Sequence, residues 1–397
     1  MRGDLRLSLQ LLHCSDLHLD KNFNISNLSR AQERKQDIDR NFAAAVEYAL
    51  KNKPDLFLVA GDIFDRYLPG NSARVFVTEM MKKLKEANIR VFMIGGNHDV
   101  PKFGSQFLAI DVLRSAGLAT VFSKSDAMEK QVVEIDGKRV CISGKSYNSR
   151  FEAANPLQDC SIPLDGQYNV LMLHGSLQGL NVVSSIPEIT FQNPFRPSDI
   201  AHGLNYLALG HFHNHFEREH NGCTIVNPGS VEKLTWAEMA DEKGFVWAEL
   251  HNSTASVEFI KVPTRKMEQS EFDLSDVASS GLNLNEQIIN HLRSLSDPDK
   301  VVRLDLKGQI KPEQYHQLQF NEIYEAAKDM FFHLTIRHNE LNVEGFGRVF
   351  MDRLDNPIEA FSKRMAILFA EATTEEQKMQ LEKVKELGLK YLEEARG

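Results

Sequence analysis

Five short blocks of the sequence bring together carboxylate, amide and imidazole side chains. The eight residues that carry this chemistry are Asp16, His18, Asp62, Asn97, His98, His174, His211 and His213. Each block begins where an apolar run ends, so each is expected on a loop at the mouth of a strand. Mixed oxygen and nitrogen donors suit Mn, Fe or Zn better than Ca. Because two such cations roughly 3.5–4 Å apart can clamp a phosphate and activate water for in-line attack, the blocks predict a two-metal hydrolytic site.

The elements that must position these residues alternate in the first half of the chain. The pattern predicts a strand at 8–16, a helix at 30–52, a strand at 55–60, a helix at 72–87 and a strand at 90–94. The inward face of the first helix is predicted to carry Ile38, Phe42, Ala45, Val46 and Ala49, and that of the second Val75, Met80 or Met81, and Leu84. Strand–helix–strand alternation favours parallel pairing with right-handed crossovers.

The next region changes to antiparallel patterns. Residues 131–135 and 139–143 flank Asp136-Gly137, a sequence typical of a tight hairpin. Apolar runs at 169–173 and 206–209 are predicted as buried strands that each deliver a histidine, and 244–250 with 256–262 are predicted as an antiparallel pair. We therefore expect a β-sandwich flanked by helices, with the metals at the C-terminal ends of its strands, where open α/β sheets place their sites.

Beyond residue 264 the pattern breaks. We predict helices at 285–295 and 312–317 and strands at 301–306 and 331–337, as in a small α/β cap. Helices are then predicted at 357–372, with Ile358, Phe361, Met365 and Leu368 on one face, and from the capping box at Thr373, with Leu381, Val384 and Tyr391. The expected domains are 1–264 (catalytic), 265–355 (α/β cap) and 356–397 (C-terminal helices).

Composition is that of an ordinary globular protein, with 25% charged and 42% hydrophobic residues. No run of 18 uncharged apolar residues occurs, so no membrane span is expected. Four cysteines without a C-x-x-C spacing favour a reduced, cytoplasmic setting, and Cys14 is interpreted as a buried strand thiol, with metal ligation as the alternative. The net charge of −9 divides into −3 for 1–264 and −6 for 265–397, which predicts modest affinity for DNA without a partner.

The order D-x-H, G-D-x-x-D, G-N-H-D, H-G and G-H-x-H across residues 15–213 resembles the calcineurin-like metallophosphoesterase superfamily. The opening Leu-His-Cys-Ser-Asp-Leu-His-Leu-Asp at 12–20 resembles its bacterial SbcD nuclease branch, and in particular the subgroup typified by the bacillar YhaO protein. Most SbcD-type chains carry Gly where this chain has Asp20. The resemblance covers roughly residues 8–262. It implies a four-layer α/β-β/α sandwich followed by a small cap and a helical tail.

The resemblance also implies a role for each motif residue. Asp16, His18 and His213 would hold one metal, Asn97, His174 and His211 the other, and Asp62 would bridge the two. His98 would take no metal and would stabilise the transition state or protonate the leaving oxygen. Asp65 and Asp99 are predicted to orient ligating imidazoles, with turn capping as the alternative for Asp65. The segment 227–230 (Asn-Pro-Gly-Ser) would lie beside the metals, with a plain turn as the alternative.

The leading hypothesis is a Mn²⁺-dependent DNA nuclease, exo- and endonucleolytic, that acts in DNA repair at the nucleoid with an SbcC-like coiled-coil ATPase; Fe²⁺ and Zn²⁺ are the alternative metals. A homodimer through 30–50 or 71–88 is expected, and the tail helices would bind the ATPase or pack on the chain's own cap. The segment 176–200, with Phe191, Phe195 and Arg196, would contact DNA or cover the sandwich edge. A small-molecule phosphoesterase and a non-catalytic repair adaptor are the alternative functions.

Overall fold

The computed structural model describes residues 8–101, 107–179, 181–186, 191–251, 254–345 and 347–348, together with seven helical positions at 361, 365, 381, 382, 384, 385 and 388. The chain divides into two compact units, Met1–Met267 and Glu268–Gly397. Within the part of the chain so described, no helix is long and apolar enough to cross a membrane.

The first unit alternates strands and helices and then turns to strands. Its elements are β1 (Leu9–Cys14), α1 (Leu28–Asn52), β2 (Leu56–Ala60), α2 (Asn71–Glu86), β3 (Arg90–Ile94), α3 (Asp111–Ser115), β4 (Thr120–Phe122), β5 (Glu129–Ile135), β6 (Lys138–Lys145), β7 (Tyr168–His174), β8 (Tyr206–Gly210), β9 (Phe216–His220), β10 (Cys223–Asn227), β11 (Gly244–Leu250) and β12 (Ala255–Lys261). Every strand and helix predicted for this region is confirmed within a few residues. The strands β4, β9 and β10 and the helix α3 were not predicted.

These strands form two six-stranded sheets, ordered β12-β11-β1-β2-β3-β4 and β5-β6-β7-β8-β10-β9. The pairs β1–β2, β2–β3 and β3–β4 are parallel, as are β6–β7 and β7–β8. The predicted hairpin is confirmed: β5 and β6 are antiparallel, and Asp136 (φ 48°) and Gly137 (φ 76°) form the turn with the positive φ angles that a type I′ hairpin requires.

The two sheets pack face to face. Leu58 and Phe92 of the first sheet share a buried core with Val170 and Tyr206 of the second. The outer face of the first sheet is covered by α1 and α2. The outer face of the second is covered, in the described residues, by the chain around Phe195, which includes a 3-10 turn at Pro197–Asp199. The predicted α/β sandwich with two large sheets is thereby confirmed.

The outer helices follow their apolar spacing with one exception. All five residues predicted to face inward from α1 are buried, and Asn27 caps the helix by accepting hydrogen bonds from the N–H groups of Ser29 and Arg30. In α2 the inward residues are Ala73, Val77, Met80, Met81 and Leu84. The prediction for Val75 is wrong, because this side chain is 56% exposed. Because each residue of an α-helix turns by about 100°, Val75 lies about 200° from both Ala73 and Val77, on the opposite, outer side of the helix.

The second unit contains a sheet ordered β13-β14-β15-β16 with helices packed on it. Its elements are β13 (Met267–Asp273), α4 (Ser275–Ser280), α5 (Leu284–Ser294), β14 (Asp297–Ile310), α6 (Pro312–His316), α7 (Phe320–Ala327), β15 (Phe331–Val343) and β16 (Gly347–Arg348). The predicted helices and strands are confirmed as α5, α6, β14 and β15, although both strands are much longer than predicted. The parallel pair β14–β15 supplies most of the sheet.

The two predicted C-terminal helices lie mostly outside the described residues. At the described positions, Phe361 and Met365 are helical and Met365 is buried. A Cβ added to Gly388 would meet the ring of Phe361, so the chain packs on itself there. Val384 is half exposed. Ile358, Leu368, the capping box at Thr373 and Tyr391 fall outside the described residues.

Candidate metal centre

The predicted ligands come together at one edge of the sandwich. Asp16 and His18 follow β1, Asp62 follows β2, Asn97 follows β3, His174 ends β7, and His211 and His213 follow β8. Because β1–β3 and β7–β8 are parallel sets, their carboxyl ends deliver these side chains from both sheets. Asp16, His18, Asp62, His174 and His211 are buried, whereas Asn97, His98 and His213 are half-buried.

Several of these residues adopt a backbone conformation that side chains normally avoid. The φ angles are 51° at Asp16, 47° at His18, 50° at Asp62 and 107° at His211. Such conformations cost on the order of 1–3 kcal/mol each and persist where the surrounding structure enforces them. Here the N–H of Asp16 donates to the Gly61 carbonyl at 3.0 Å, and that of His18 to the Asp62 carbonyl at 2.9 Å. The loops after β1 and β2 therefore hold one another in place.

The first ligand set is Asp16, His18 and His213, whose ligand atoms lie within 4.8 Å of one another. Nδ1 of His18 is 3.1 Å from Oδ1 of Asp65. Burial opposes ionisation of Asp65, but hydrogen bonds from His18 and Lys21 outweigh it and lower its pKa, so Asp65 is a carboxylate and accepts. Nε2 of His18 is buried and has no hydrogen-bond partner. This orphaned nitrogen, fixed as a lone-pair donor by the proton on Nδ1, is the arrangement that a metal ligand requires.

The second predicted set is Asn97, His174 and His211. Oδ1 of Asn97 is 3.0 Å from Nε2 of His174 and 3.1 Å from Nδ1 of His211. Nδ1 of His174 donates to the carbonyl of Ala60 at 2.9 Å. Although burial opposes it, the Asp62 carboxylate raises the pKa of His174 to about 9. With Nδ1 already donating to Ala60, the additional proton of His174 lies on Nε2, which faces Asp62. A cation bound by Nε2 would displace this proton.

Asp62 lies between the two sets. Its Oδ2 is 3.4 Å from Nε2 of His18 and 3.5 Å from Nε2 of His174. Burial opposes its ionisation, but His174 and His98 hold the pKa of Asp62 well below its usual range. A Cβ at Gly96 would overlap the carboxylate of Asp62, so this position must be glycine for the two loops to approach. A buried anion that faces both imidazole sets is placed to contact two cations at once.

His98 lies beside Asp62, and its backbone N–H donates to Oδ1 of Asp62 at 2.8 Å. Its Nδ1 is 2.9 Å from the carbonyl of Asp65, which leaves Nε2 for other contacts. Although burial opposes it, the charge of Asp62 raises the pKa of His98. The ligand atoms of His18, Asp62 and His98 also lie within 4.8 Å of one another. The distances alone would therefore allow His98 to bind a metal, whereas the resemblance to the superfamily gives it none.

Asp65 and Asp99 differ in their contacts. Asp65 accepts from an imidazole, as described above. Asp99 instead accepts from the backbone N–H groups of Ile63, Phe64 and Gly96, at 2.9–3.1 Å. Asp99 was expected to orient a ligating imidazole, but its hydrogen bonds go to the backbone instead. Asp99 fastens the loop after β2 to the loop after β3, because the backbone donors of both loops converge on its buried carboxylate.

The family model described as calcineurin-like phosphoesterase matches residues 9–228 of the chain. The chain belongs to this family. The metallophosphoesterase YhaO of Bacillus subtilis (strain 168), itself uncharacterized, is 27% identical to this calcineurin-like phosphoesterase over 307 residues, covering 76% of the chain and 72% of YhaO. The DNA double-strand break repair protein Mre11 of Aeropyrum pernix is 28% identical over 284 residues, covering 68% of the chain and 65% of that Mre11. Mre11 of Sulfolobus acidocaldarius is 25% identical over 313 residues, covering 76% of each protein.

Among solved structures, the calcineurin-like phosphoesterase is similar to TT1561 of Thermus thermophilus, with a TM-score of 0.39 and 10% identity over 64% of this chain and 99% of that one. A dimetal phosphatase from Danio rerio gives a TM-score of 0.38 and 10% identity over 63% of this chain and 98% of that one.

The family binds two divalent metals, and the residues of this calcineurin-like phosphoesterase fit such a pair. The described residues offer three overlapping groups of ligand atoms, each within 4.8 Å. The unpartnered Nε2 of His18 and the buried Asp62 carboxylate are what cations would satisfy. Cys14 belongs to none of these three groups and is buried at the end of β1. Burial raises the pKa of its thiol. The interpretation of Cys14 as a buried strand thiol agrees with this.

Two neighbouring regions complete the site of the phosphoesterase. The segment 227–230 lies beside His213, because the N–H of Ser230 donates to the His213 carbonyl at 3.0 Å. Sequence reasoning missed Glu238, whose Oε1 is 3.1 Å from Nδ1 of His213. Glu238 sits in a 3-10 turn, Trp236–Glu238, 25 residues after its imidazole partner. No spacing or motif in the sequence marks it, so only the folded chain reveals the contact.

Proposed function

We propose that this protein is a two-metal DNA nuclease that hydrolyses phosphodiester bonds with Mn²⁺, both from ends and internally. The observation that carries the proposal is the convergence of both imidazole sets on Oδ2 of Asp62, at 3.4 and 3.5 Å. Similarity to proteins named for DNA double-strand break repair favours DNA as the substrate. Mn²⁺ is proposed because carboxylate, amide and imidazole donors suit it, with Fe²⁺ and Zn²⁺ as alternatives.

We propose that Asp16, His18 and His213 hold one cation, that Asn97, His174 and His211 hold the other, and that Asp62 contacts both. Two cations so held would clamp the phosphate and activate water for in-line attack. Nδ1 of His98 is engaged by the Asp65 carbonyl, so Nε2 is the atom proposed to contact the transition state or to give a proton to the leaving oxygen. Asp65 orients His18, and Asp99 holds the two metal loops together.

Two loops next to His174 supply a surface for DNA. Asn193 is buried and donates to the carbonyls of Asn148, Phe151 and Glu152, while its own carbonyl accepts from the N–H of Ser176. The loops at 148–152 and 191–196 are thereby tied to the chain that follows His174. Their side chains Phe151 and Phe191 are 65% and 72% exposed. Exposed rings of this kind stack on unpaired bases, which is worth roughly 1–3 kcal/mol per base.

The segment 176–200 was expected either to contact DNA or to cover the edge of the sandwich. Its two phenylalanines differ in this respect. Phe195 is 1% exposed and belongs to the core that covers the second sheet. Phe191 and Arg196 are exposed and are proposed to meet the nucleic acid. Phe191→Ala should weaken binding of single-stranded DNA by about 5–100-fold, the change that losing one stacked base predicts. Phe195→Leu, measured alongside it by fluorescence anisotropy, should leave DNA affinity unchanged.

The assembly is also a proposal. We infer a homodimer through α1 or α2, supported by the 56% exposure of Val75 on α2 and the 62% exposure of Leu68 just before it. We further propose residues 1–264 as the nuclease domain, 265–355 as a cap and 356–397 as the helices that bind an SbcC-like coiled-coil ATPase. Deletion of 356–397 should abolish pull-down of such an ATPase, whereas unchanged pull-down would contradict this role.

One assay separates this proposal from its rivals. The purified protein with Mn²⁺ is given linear DNA, cyclic nucleotides and an aryl phosphate, with Asp62→Ala and His98→Ala as controls. DNA cleavage that both substitutions abolish is the expected result. Ester hydrolysis without DNA cleavage would instead identify a small-molecule phosphoesterase, which the net charge of −3 in residues 1–264 favours. Inactivity on all three substrates would point to a repair adaptor.

A further inference from the structure

Glu238 is a fully buried carboxylate outside the predicted ligand set. Its two oxygens accept from five groups at 2.7–3.3 Å: Nδ1 of His213, Nζ of Lys243, Oγ of Ser230, Oγ1 of Thr235 and the backbone N–H of Leu234. Burying an anion is costly unless donors surround it. The segment from Ser230 to Lys243 therefore folds around this one carboxylate, and the only imidazole among the five donors belongs to a proposed metal ligand.

Lys243 completes the arrangement from the other side. Its side chain is fully buried, and its ammonium group donates to Oε2 of Glu238 at 2.7 Å. The same ammonium donates to the backbone carbonyl of His213, also at 2.7 Å. The buried pair thus contacts His213 twice, at the ring through Glu238 and at the main chain through Lys243.

The contact also decides which ring nitrogen of a neutral His213 carries the proton. Besides His213, four groups donate to the two oxygens of Glu238: the Lys243 ammonium, the Ser230 and Thr235 hydroxyls and the Leu234 N–H. This ring of donors and the buried ion pair with Lys243 are the surroundings of a carboxylate. An ionised carboxylate only accepts hydrogen bonds. Nδ1 of His213 must therefore be the donor, which leaves the lone pair on Nε2, the nitrogen at the far side of the ring from Glu238.

We propose that Glu238 and Lys243 are positioning residues that together fix the ring tautomer and the main-chain place of His213, so that Nε2 is presented to the cation held with Asp16 and His18. This inference rests on the proposed metal centre and adds to it a part that the ligand motifs do not contain. Carboxylates behind ligating histidines typically change metal affinity by about 10–100-fold. The pair acts through His213 and has no role in contacting substrate.

The test uses Glu238→Gln, which keeps the shape of the side chain but lets it offer either an oxygen or an N–H to Nδ1. Metal-free protein labelled with ¹⁵N in histidine is examined at about pH 8, where an ordinary imidazole is neutral. The His213 signals are assigned by their loss in His213→Asn. We expect the Nδ1–H tautomer in the parent protein and a mixture in Glu238→Gln. Mn²⁺ affinity, measured from the electron paramagnetic resonance signal of free Mn²⁺, should fall by about 10–100-fold.

Glu232→Gln is the matched control. Glu232 is buried in the same segment, and its side-chain carboxylate contacts Arg34, Asn41 and the backbone N–H of Lys233. Its main-chain carbonyl accepts from Ser230, a contact that Glu232→Gln keeps. This substitution should lower thermal stability without moving the His213 tautomer or Mn²⁺ affinity. Lys243→Met should also produce a mixture of His213 tautomers, with less of the Nε2–H form than in Glu238→Gln. It should weaken Mn²⁺ binding as well.

A parent protein whose neutral His213 carries its proton on Nε2 would overturn the inference without any variant, even if Glu238→Gln did not fold. So would a folded Glu238→Gln with the parent tautomer and parent Mn²⁺ affinity. Neither readout involves DNA. A protein that cleaves no DNA but shows both expected changes would contradict the nuclease proposal and support this one.

Discussion

The two halves of the metal centre use the same kind of ligand but support it differently. On one side, His18 and His213 donate from Nδ1 to the side-chain carboxylates of Asp65 and Glu238. On the other, His174 donates from Nδ1 to the main-chain carbonyl of Ala60. The first half therefore depends on charged groups that substitution can remove. The second depends on β2 itself, which no single side-chain change removes.

This difference shows how two sheets can share one site. β1 and β2 belong to the first sheet and β7 to the second, yet the carbonyl at the end of β2 fixes the imidazole at the end of β7. At His213 the partner of Nδ1 is instead a buried carboxylate, which comes from the later turn Trp236–Glu238. Apart from Asp62, which faces both halves, we expect the support of His18 and His213 to respond to charge and the support of His174 to respond to the backbone.

The largest effect should come from Asp62→Asn, which removes the anion that lies between His18 of one half and His174 of the other. Because Asp62 faces both His18 and His174, each cation loses a ligand and the charge that offsets it. Phosphodiester hydrolysis should fall by more than about 1,000-fold, as expected when several kcal/mol of transition-state stabilisation is lost. Mn²⁺ should also cease to raise the melting temperature. A variant that still binds two Mn²⁺ ions with parent affinity would break the shared-anion view of the centre.

Gly96→Ala should act on the same carboxylate from the other side. Its methyl group would overlap the Asp62 carboxylate, which must then move out of both ligand sets. We expect Mn²⁺ affinity to fall at both sites together, with a loss of stability of about 1–3 kcal/mol from overpacking. Calorimetric titration and urea unfolding measure the two effects. Gly70→Ala is the control, because the three atoms nearest to its methyl group would all belong to the partly exposed side chain of Asp20, the closest at 3.1 Å. Loss at one site alone would contradict the expected coupling.

The ligands of the metal centre could be predicted from the sequence more readily than the residues that support them. Ligands that directly follow apolar strands, such as Asp16 and His174, are marked by the strand that delivers them. Glu238 follows no strand and has no fixed spacing from His213, so its place depends on how the segment after β10 folds back. The strand β9, Phe216–His220, was missed because it alternates charged residues at the edge of its sheet and buries little. The prediction for Val75 was wrong because Val75, Phe76 and Val77 form an apolar run, and the member that shares a face with Ala73 and Leu84 is Val77.

Asp65→Asn should produce a smaller change confined to the first half. The amide can still meet Nδ1 of His18 but no longer carries charge, so the proton on that imidazole is held less firmly. Affinity for one Mn²⁺ should fall by about 10–100-fold while the other stays within a factor of about two. Calorimetric titration that resolves the two binding steps measures this. Equal weakening of both steps would show that the halves are not supported separately.

The smallest effect is expected at Ala60, which supports the second half through its carbonyl alone. Ala60→Gly keeps that carbonyl, so the hydrogen bond to Nδ1 of His174 should survive and Mn²⁺ affinity should change by less than about twofold. Stability should fall by about 0.5–1 kcal/mol, because glycine loses more chain entropy on folding than alanine does. Urea unfolding and Mn²⁺ titration of the same sample separate the two quantities. Weakening of Mn²⁺ binding as large as that of Asp65→Asn would mean that the packing of the Ala60 methyl group, rather than the main chain of β2, holds His174 in place.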